Sequence, residues 1–121
     1  MPHTNTWEPG GLYRQFTGVI SGEEILESNF ELHSDPKFQE INYIINSFTE
    51  ITGHSVEIIH TKVYASTDEI VSYTKGNLKI ALVVTQDPFI ALANRYRDEM
   101  IGNRFECEIF HTIDDARKWV S

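Results

Sequence analysis

Very little in this chain of 121 residues could staple it together or anchor it. There is one cysteine, Cys107, so no internal disulfide can form and a Cys-rich zinc site is ruled out. No apolar stretch approaches the roughly 18 residues of a transmembrane helix. The longest uninterrupted run, Ile80 to Val84, is of strand length. The opening Met1-Pro2-His3-Thr4-Asn5-Thr6-Trp7 has neither a basic region nor an apolar one, so it does not read as a secretory signal. A cytoplasmic protein is expected. Basic side chains are scarce too, with 10 Lys and Arg against 18 Asp and Glu and a formal charge of −8. That field repels phosphate backbones and anionic lipid, so neither nucleic acid nor membrane is an expected partner.

What remains is ordinary for a folded domain: 40% hydrophobic and 23% charged residues. No repeat or linker divides the chain, so residues 1–121 are expected to form one domain. Thr4 to Glu8 reads as a short strand and Pro9-Gly10-Gly11 as a turn. Leu12 to Ile20 follows as a strand with Leu12, Phe16 and Ile20 on one side. Ser21-Gly22-Glu23-Glu24 is a capping box opening a helix over Gly22 to about His33, stopped by Asp35-Pro36. Ile41 to Asn46 is apolar on both faces, as a central strand requires, and Asn46 to Gly53 reads as a polar loop.

The spacing predicts a long helix from about Ser55 to Lys75, with Val56, Ile59, Val63, Ile70 and Val71 as its buried stripe and Gly76 as a left-handed C-cap. Leu78 to Thr85 is the clearest strand, apolar on both faces and expected to be covered by helices on both sides. Asp87 as N-cap and Pro88 at the first position begin a helix that buries Phe89, Ala93, Tyr96 and Met100. Phe105, Cys107 and Ile109 alternate with Glu106 and Glu108 as in an edge strand, and Thr112 caps a last helix burying Ala116, Trp119 and Val120. The order β-β-α-β-α-β-α-β-α predicts an α/β fold with a mostly parallel sheet of about five strands and four helices.

These residues resemble a family. Gly11-Leu12-Tyr13-Arg14-Gln15-Phe16-Thr17-Gly18 with Ser21-Gly22-Glu23-Glu24, Asp35-Pro36-Lys37-Phe38, Tyr43-Ile44-Ile45-Asn46, Lys79 to Val84 and the closing Phe110 to Trp119 carry the likeness. The chain resembles the STAS fold of anti-sigma-factor antagonists, and within it the SpoIIAA-like branch of small bacterial proteins. That resemblance implies a regulatory, protein-binding module. In the antagonists an Asp-Ser-Ser-Gly motif carries a phosphorylatable serine at the start of the helix after the central strand. Here that stretch reads Thr52-Gly53-His54-Ser55-Val56, so Ser55 is the nearest counterpart, without the aspartate or the Ser-Gly pair.

Ser55 reads first as the N-cap of its helix, and second as a phosphorylation site facing free N–H groups. His54, Glu57 and His60 have three-residue steps, but His54 and His60 diverge by about 120° on a helix, unlike a metal-binding i, i+4 pair. No metal or cofactor is expected. Cys107, flanked by Glu106 and Glu108, reads as structural, and His3, His33 and His111 as surface residues near element ends. Tyr64, Tyr73 and Tyr96 are read as core or as pocket lining, and Glu23, Glu24, Glu27 and Glu31 as a solvated face or a docking surface for a basic partner. Ligands of open α/β sheets gather beyond the strands' carboxyl ends. That rule selects Asn46, Ser47, Thr52, His54 and Ser55 beside Thr85, Gln86 and Asp87 as the candidate binding region.

There is no Gly-x-Ser-x-Gly elbow and no base with an orienting partner to name, so no catalytic residue is assigned. The leading expectation is a non-enzymatic interaction module that binds a protein partner or itself as a homodimer. The alternative is a carrier for a small apolar or anionic ligand. An enzyme using His54 or Ser55 stands third.

Overall fold

A computed structural model describes residues 3–121, so Met1 and Pro2 of the N-terminal reading lie outside it. The order is β1 (His3–Glu8), β2 (Gly11–Ile20), α1 (Gly22–Ser34), a 3-10 turn (Pro36–Glu40), β3 (Tyr43–His54), α2 (Ile58–Lys75), β4 (Leu78–Val83), α3 (Asp87–Glu99), β5 (Phe105–Phe110) and α4 (Ile113–Val120). The strands form one sheet in chain order, β1-β2-β3-β4-β5. Its first pair is antiparallel and the other three are parallel. The sheet is therefore mixed. A two-residue turn at Pro9 and Gly10, with Gly10 at φ 78°, makes the antiparallel hairpin.

Alternation along the strands builds two cores. Ile44, Ile80 and Leu82 face a large cluster with Phe16, Phe38, Phe105 and the inner sides of α1, α2 and α3. Ile45, Ala81 and Val83, one residue out of phase, meet Ala116 of α4 on the opposite face. Three crossover helices thus cover one face and the last helix covers the other, as the two-sided apolarity of β4 predicts. The helix starts behave as their chemistry dictates. Ser21 Oγ accepts from the Glu24 N–H at 3.1 Å while Glu24 Oε1 accepts from the Ser21 N–H at 2.8 Å. Thr112 Oγ1 accepts from the Asp115 N–H. Among the described residues, no helix is long and apolar enough to cross a membrane.

Four expectations need correction. The segment Asn46 to Gly53 is strand, because the ten residues of β2 offer a pairing edge out to Ile20↔His54 while β4 stops opposite Ser47. Phe48 and Ile51 there are both buried, and the β2–β3 register shifts between Gln15 and Thr17 opposite this stretch. The second helix begins at Ile58, so Ser55 is not its cap; Glu57 takes that place and its N–H donates to His60 Nδ1 at 2.8 Å. Asp87 and Pro88 both lie inside α3, with Gln86 at the cap. Gly76 does cap α2 with positive φ, but at ψ −147° it is extended and not left-handed helical.

The largest difference concerns α2. Of its predicted stripe, Val56 is buried ahead of the helix and Val71 packs against the core, but Ile59 and Ile70 are 60 and 69% exposed and Val63 is exposed as well, with Tyr73 beside them at 63%. At 100° per residue the four exposed residues share an arc of about 80°. The buried side chains Thr61, Tyr64, Ala65, Asp68 and Ser72 occupy the opposite side. A helix whose inner face carries a threonine, an aspartate and a serine covers something other than plain hydrocarbon.

Candidate functional site

Between the sheet and α1, α2 and α3 lies a cavity of about 70 Å³. A single water needs roughly 10–15 Å³ by the same measure, so the space takes several waters or a small organic molecule. Its walls are mostly apolar, but Arg14, Asn29, His33, Asn46, Asp68 and Tyr96 converge on it.

Arg14 sits in the middle of β2, between Leu12 and Phe16, and is 3% exposed. Its Nε donates to Asn46 Oδ1 at 2.9 Å, Nη1 to Ser28 Oγ at 2.8 Å and Nη2 to Asn29 Oδ1 at 2.8 Å. All three partners are neutral and buried. No carboxylate among the described residues comes within 4 Å of this guanidinium. Burial lowers the Arg14 pKa to about 10, which still leaves a full cation at neutral pH. Three of its five N–H groups are occupied and two are left over.

Asp68 enters from α2 and is 5% exposed. Tyr96 of α3 donates its hydroxyl to Asp68 Oδ2 in a short hydrogen bond. Burial raises the Asp68 carboxyl to about 6, against the opposing pull of Tyr96 and of Arg14. His33 of α1 approaches with Nε2 3.5 Å from Asp68 Oδ1. Burial, then the field of Arg14, lowers His33 to about 4, so the imidazole is neutral and this contact is dipolar, not ionic. Its Nδ1 is buried without a hydrogen-bond partner. The surface placement expected for His33 fails, because the last turn of α1 faces inward onto Phe38 and Asp68. His3 is likewise half-buried, its ring 5.7 Å from that of Phe16.

The region selected from sequence is split. Asn46 belongs to the cavity through its bond to Arg14, and Ser47 is fully buried beside Thr49. The remaining six residues gather at the far end of β3 and the start of α3. There Gln86 Nε2 donates to the Ile51 carbonyl at 2.5 Å, and the His54 ring stands edge-on to Phe89 at 4.9 Å. His54 Nδ1 accepts from the Val56 N–H at 3.1 Å, while the Ser55 N–H donates to the Ile20 carbonyl. Thr52, Ser55, Thr85 and Asp87 are exposed. Because strand order follows chain order, the three crossovers leave on one face and no reversal opens a crevice at the strand ends.

Tyr64 and Tyr96 line the cavity with ring centroids 6.5 Å apart, whereas Tyr73 lies outside under the Arg104 guanidinium. Tyr64 also donates its hydroxyl to the Gly22 carbonyl at 2.6 Å, tying α1 to α2 across the cavity. Cys107 is half-buried in β5 and its thiol is pushed up by burial, then by Asp68 and Glu108, as befits a structural cysteine.

Comparison with known proteins places the architecture. No protein-family model matches the chain, and no curated protein is similar to it in sequence. Among solved structures it is similar to an uncharacterised protein of the DUF3478 family with a SpoIIAA-like fold from Shewanella loihica PV-4. The match covers 98% of this chain and 92% of that one, at 17% identity and a TM-score of 0.56. The chain has a SpoIIAA-like fold.

Proposed function

We propose that this SpoIIAA-like domain is a small-molecule binding module whose site is the cavity beneath α1, α2 and α3, with Arg14 as polar anchor. One observation carries the reading: a buried cation faces the cavity with neutral partners only. Desolvating a charge whose facing carboxylate, Asp68, lies beyond ion-pair distance costs several kcal/mol, which a domain that needed only a core would avoid by continuing the apolar series of Leu12 and Phe16. Largely apolar walls with a few convergent polar groups are the usual composition of ligand sites. Native mass spectrometry of the protein purified from bacterial cells tests this. A mass excess of small-molecule size that disappears on denaturation is expected, together with its loss in Ala93→Leu, which fills the cavity. Bare protein, with no thermal stabilisation by any member of a panel of small organic acids and amides, refutes it.

The outer face of α2 supports a second reading, an interaction module that binds a protein partner or a second copy of itself. Ile59, Val63, Ile70 and Tyr73 form one apolar stripe in water. Sedimentation of the wild type against Ile59→Lys/Ile70→Lys reads it out. A monomer for both, at every concentration up to the millimolar range, refutes self-association.

A further inference from the structure

Arg14 reaches the cavity from the sheet and Asp68 from the helix layer above it. Asp68 is faced by His33 from α1, Tyr96 from α3, Arg14 from β2 and Cys107 from β5. The imidazole is held neutral, and the phenol and thiol are held protonated by burial. The cavity walls therefore balance one fixed positive charge against one carboxylate. A neutral ligand would leave that balance alone and use little of what Arg14 offers. An anion would take the two spare guanidinium N–H groups, but with Asp68 ionised it would leave a net negative charge in a medium of low dielectric.

Resting on the ligand-binding reading above, we propose that the ligand is a small monoanion, a short-chain carboxylate being the type case, and that its binding is coupled to uptake of one proton by Asp68. Asp68 is the group that takes the proton. Two acidic groups sharing one buried site cannot both stay ionised, and the one already destabilised by its surroundings protonates first. The protonated carboxyl keeps the Tyr96 hydrogen bond and has His33 Nε2 at 3.5 Å from Oδ1 as a neighbour. The ligand's oxygens face Arg14, and the orphaned His33 Nδ1 adds a polar atom to the same enclosure. A space for roughly five or six water-sized groups matches an organic acid of about that many heavy atoms.

Calorimetric titration of the full chain with butyrate, and with butyramide as its neutral isostere, tests the proposal from pH 5.5 to 8 in two buffers of different ionisation enthalpy. At pH 6 butyrate is expected to bind at least tenfold more tightly than butyramide. Above about pH 6 its affinity should fall about tenfold per pH unit, with close to one proton taken up. Asp68→Asn, an isostere of the protonated acid, should lose both the pH slope and the proton uptake, and bind about a hundredfold more tightly than wild type at pH 8. Arg14→Gln should abolish the preference for butyrate; the Asp68→Asn result stands alone if that variant does not fold. Equal, pH-independent binding of both compounds overturns the anion and proton inference while leaving the cavity reading intact. A slope that persists in Asp68→Asn shows that the ligand carries its own proton, and overturns the coupling. Binding of neither compound overturns this inference, whereas the cavity reading is judged by its own mass spectrum and thermal panel.

Discussion

Asp68 should make the ligand-free protein less stable than it could be, and Asp68→Asn should reveal by how much. The carboxyl has a folded pKa of about 6 against an ordinary value of 3.8. A rise of about two units, at 1.36 kcal/mol per unit, is about 3 kcal/mol. The native state holds the proton to higher pH than the unfolded chain does, so the penalty is absent below pH 3.8, grows between 3.8 and 6, and is constant above. Asparagine is neutral at every pH and its amide oxygen can still accept from Tyr96. The variant should therefore be more stable by about 3 kcal/mol at pH 8 and by about 1 kcal/mol at pH 4.5. His33 acts with the opposite sign: its lowered folded pKa costs stability as pH falls from 6.5 towards 4. That term is common to both proteins and cancels in the difference. Urea denaturation of the pair across this range reads the gap directly, and at pH 8 the melting temperatures should differ by on the order of 10 °C. A gap that does not change with pH, or a variant less stable at pH 8, would refute the placement of Asp68 as a buried, under-compensated acid.

Other sites offer independent checks. Gly22→Ala puts a Cβ into the His60 ring and should cost about 1–3 kcal/mol by overpacking; Gly22→Ala in a His60→Ala background should cost clearly less, as a double-mutant cycle in denaturant would show. Phe105→Ala removes a side chain that is 1% exposed and should cost about 3–5 kcal/mol, measured the same way. Cys107 should react with a disulfide reagent far more slowly in the native protein than in urea, since burial suppresses its thiolate; equal rates would count against its placement.

The parts of the fold that follow local rules were legible. The Ser21 capping box, the β4 run apolar on both faces, the Phe89, Ala93, Tyr96 and Met100 face of α3 and the Thr112 cap all rest on short-range chemistry. The far half of β3 was not, because its pairing depends on how far β2 extends, thirty residues away. Arg14 was within reach. The alternation that turns Leu12 and Phe16 inward turns Arg14 inward too, and only the habit of placing charge outside conceals it. Asp68 was hidden more deeply. Helical periodicity assumes that the apolar stripe faces the interior, and α2 inverts this because its inner wall borders a partly polar cavity while its outer wall carries Ile59, Val63 and Ile70. The candidate site lay in the residues that break the hydrophobic pattern.

The last helix closes the molecule on itself. Arg117 in α4 donates to both carboxylate oxygens of Glu8, at 3.0 and 2.8 Å, and the Tyr43 hydroxyl donates to the same carboxylate at 2.5 Å. Residues 109 positions apart in the chain thus meet at one anchor, and the last helix is pinned to the end of the first strand. Arg117→Ala should therefore free α4 to move off the second core, exposing Ala116 and the Ile45, Ala81 and Val83 side of the sheet.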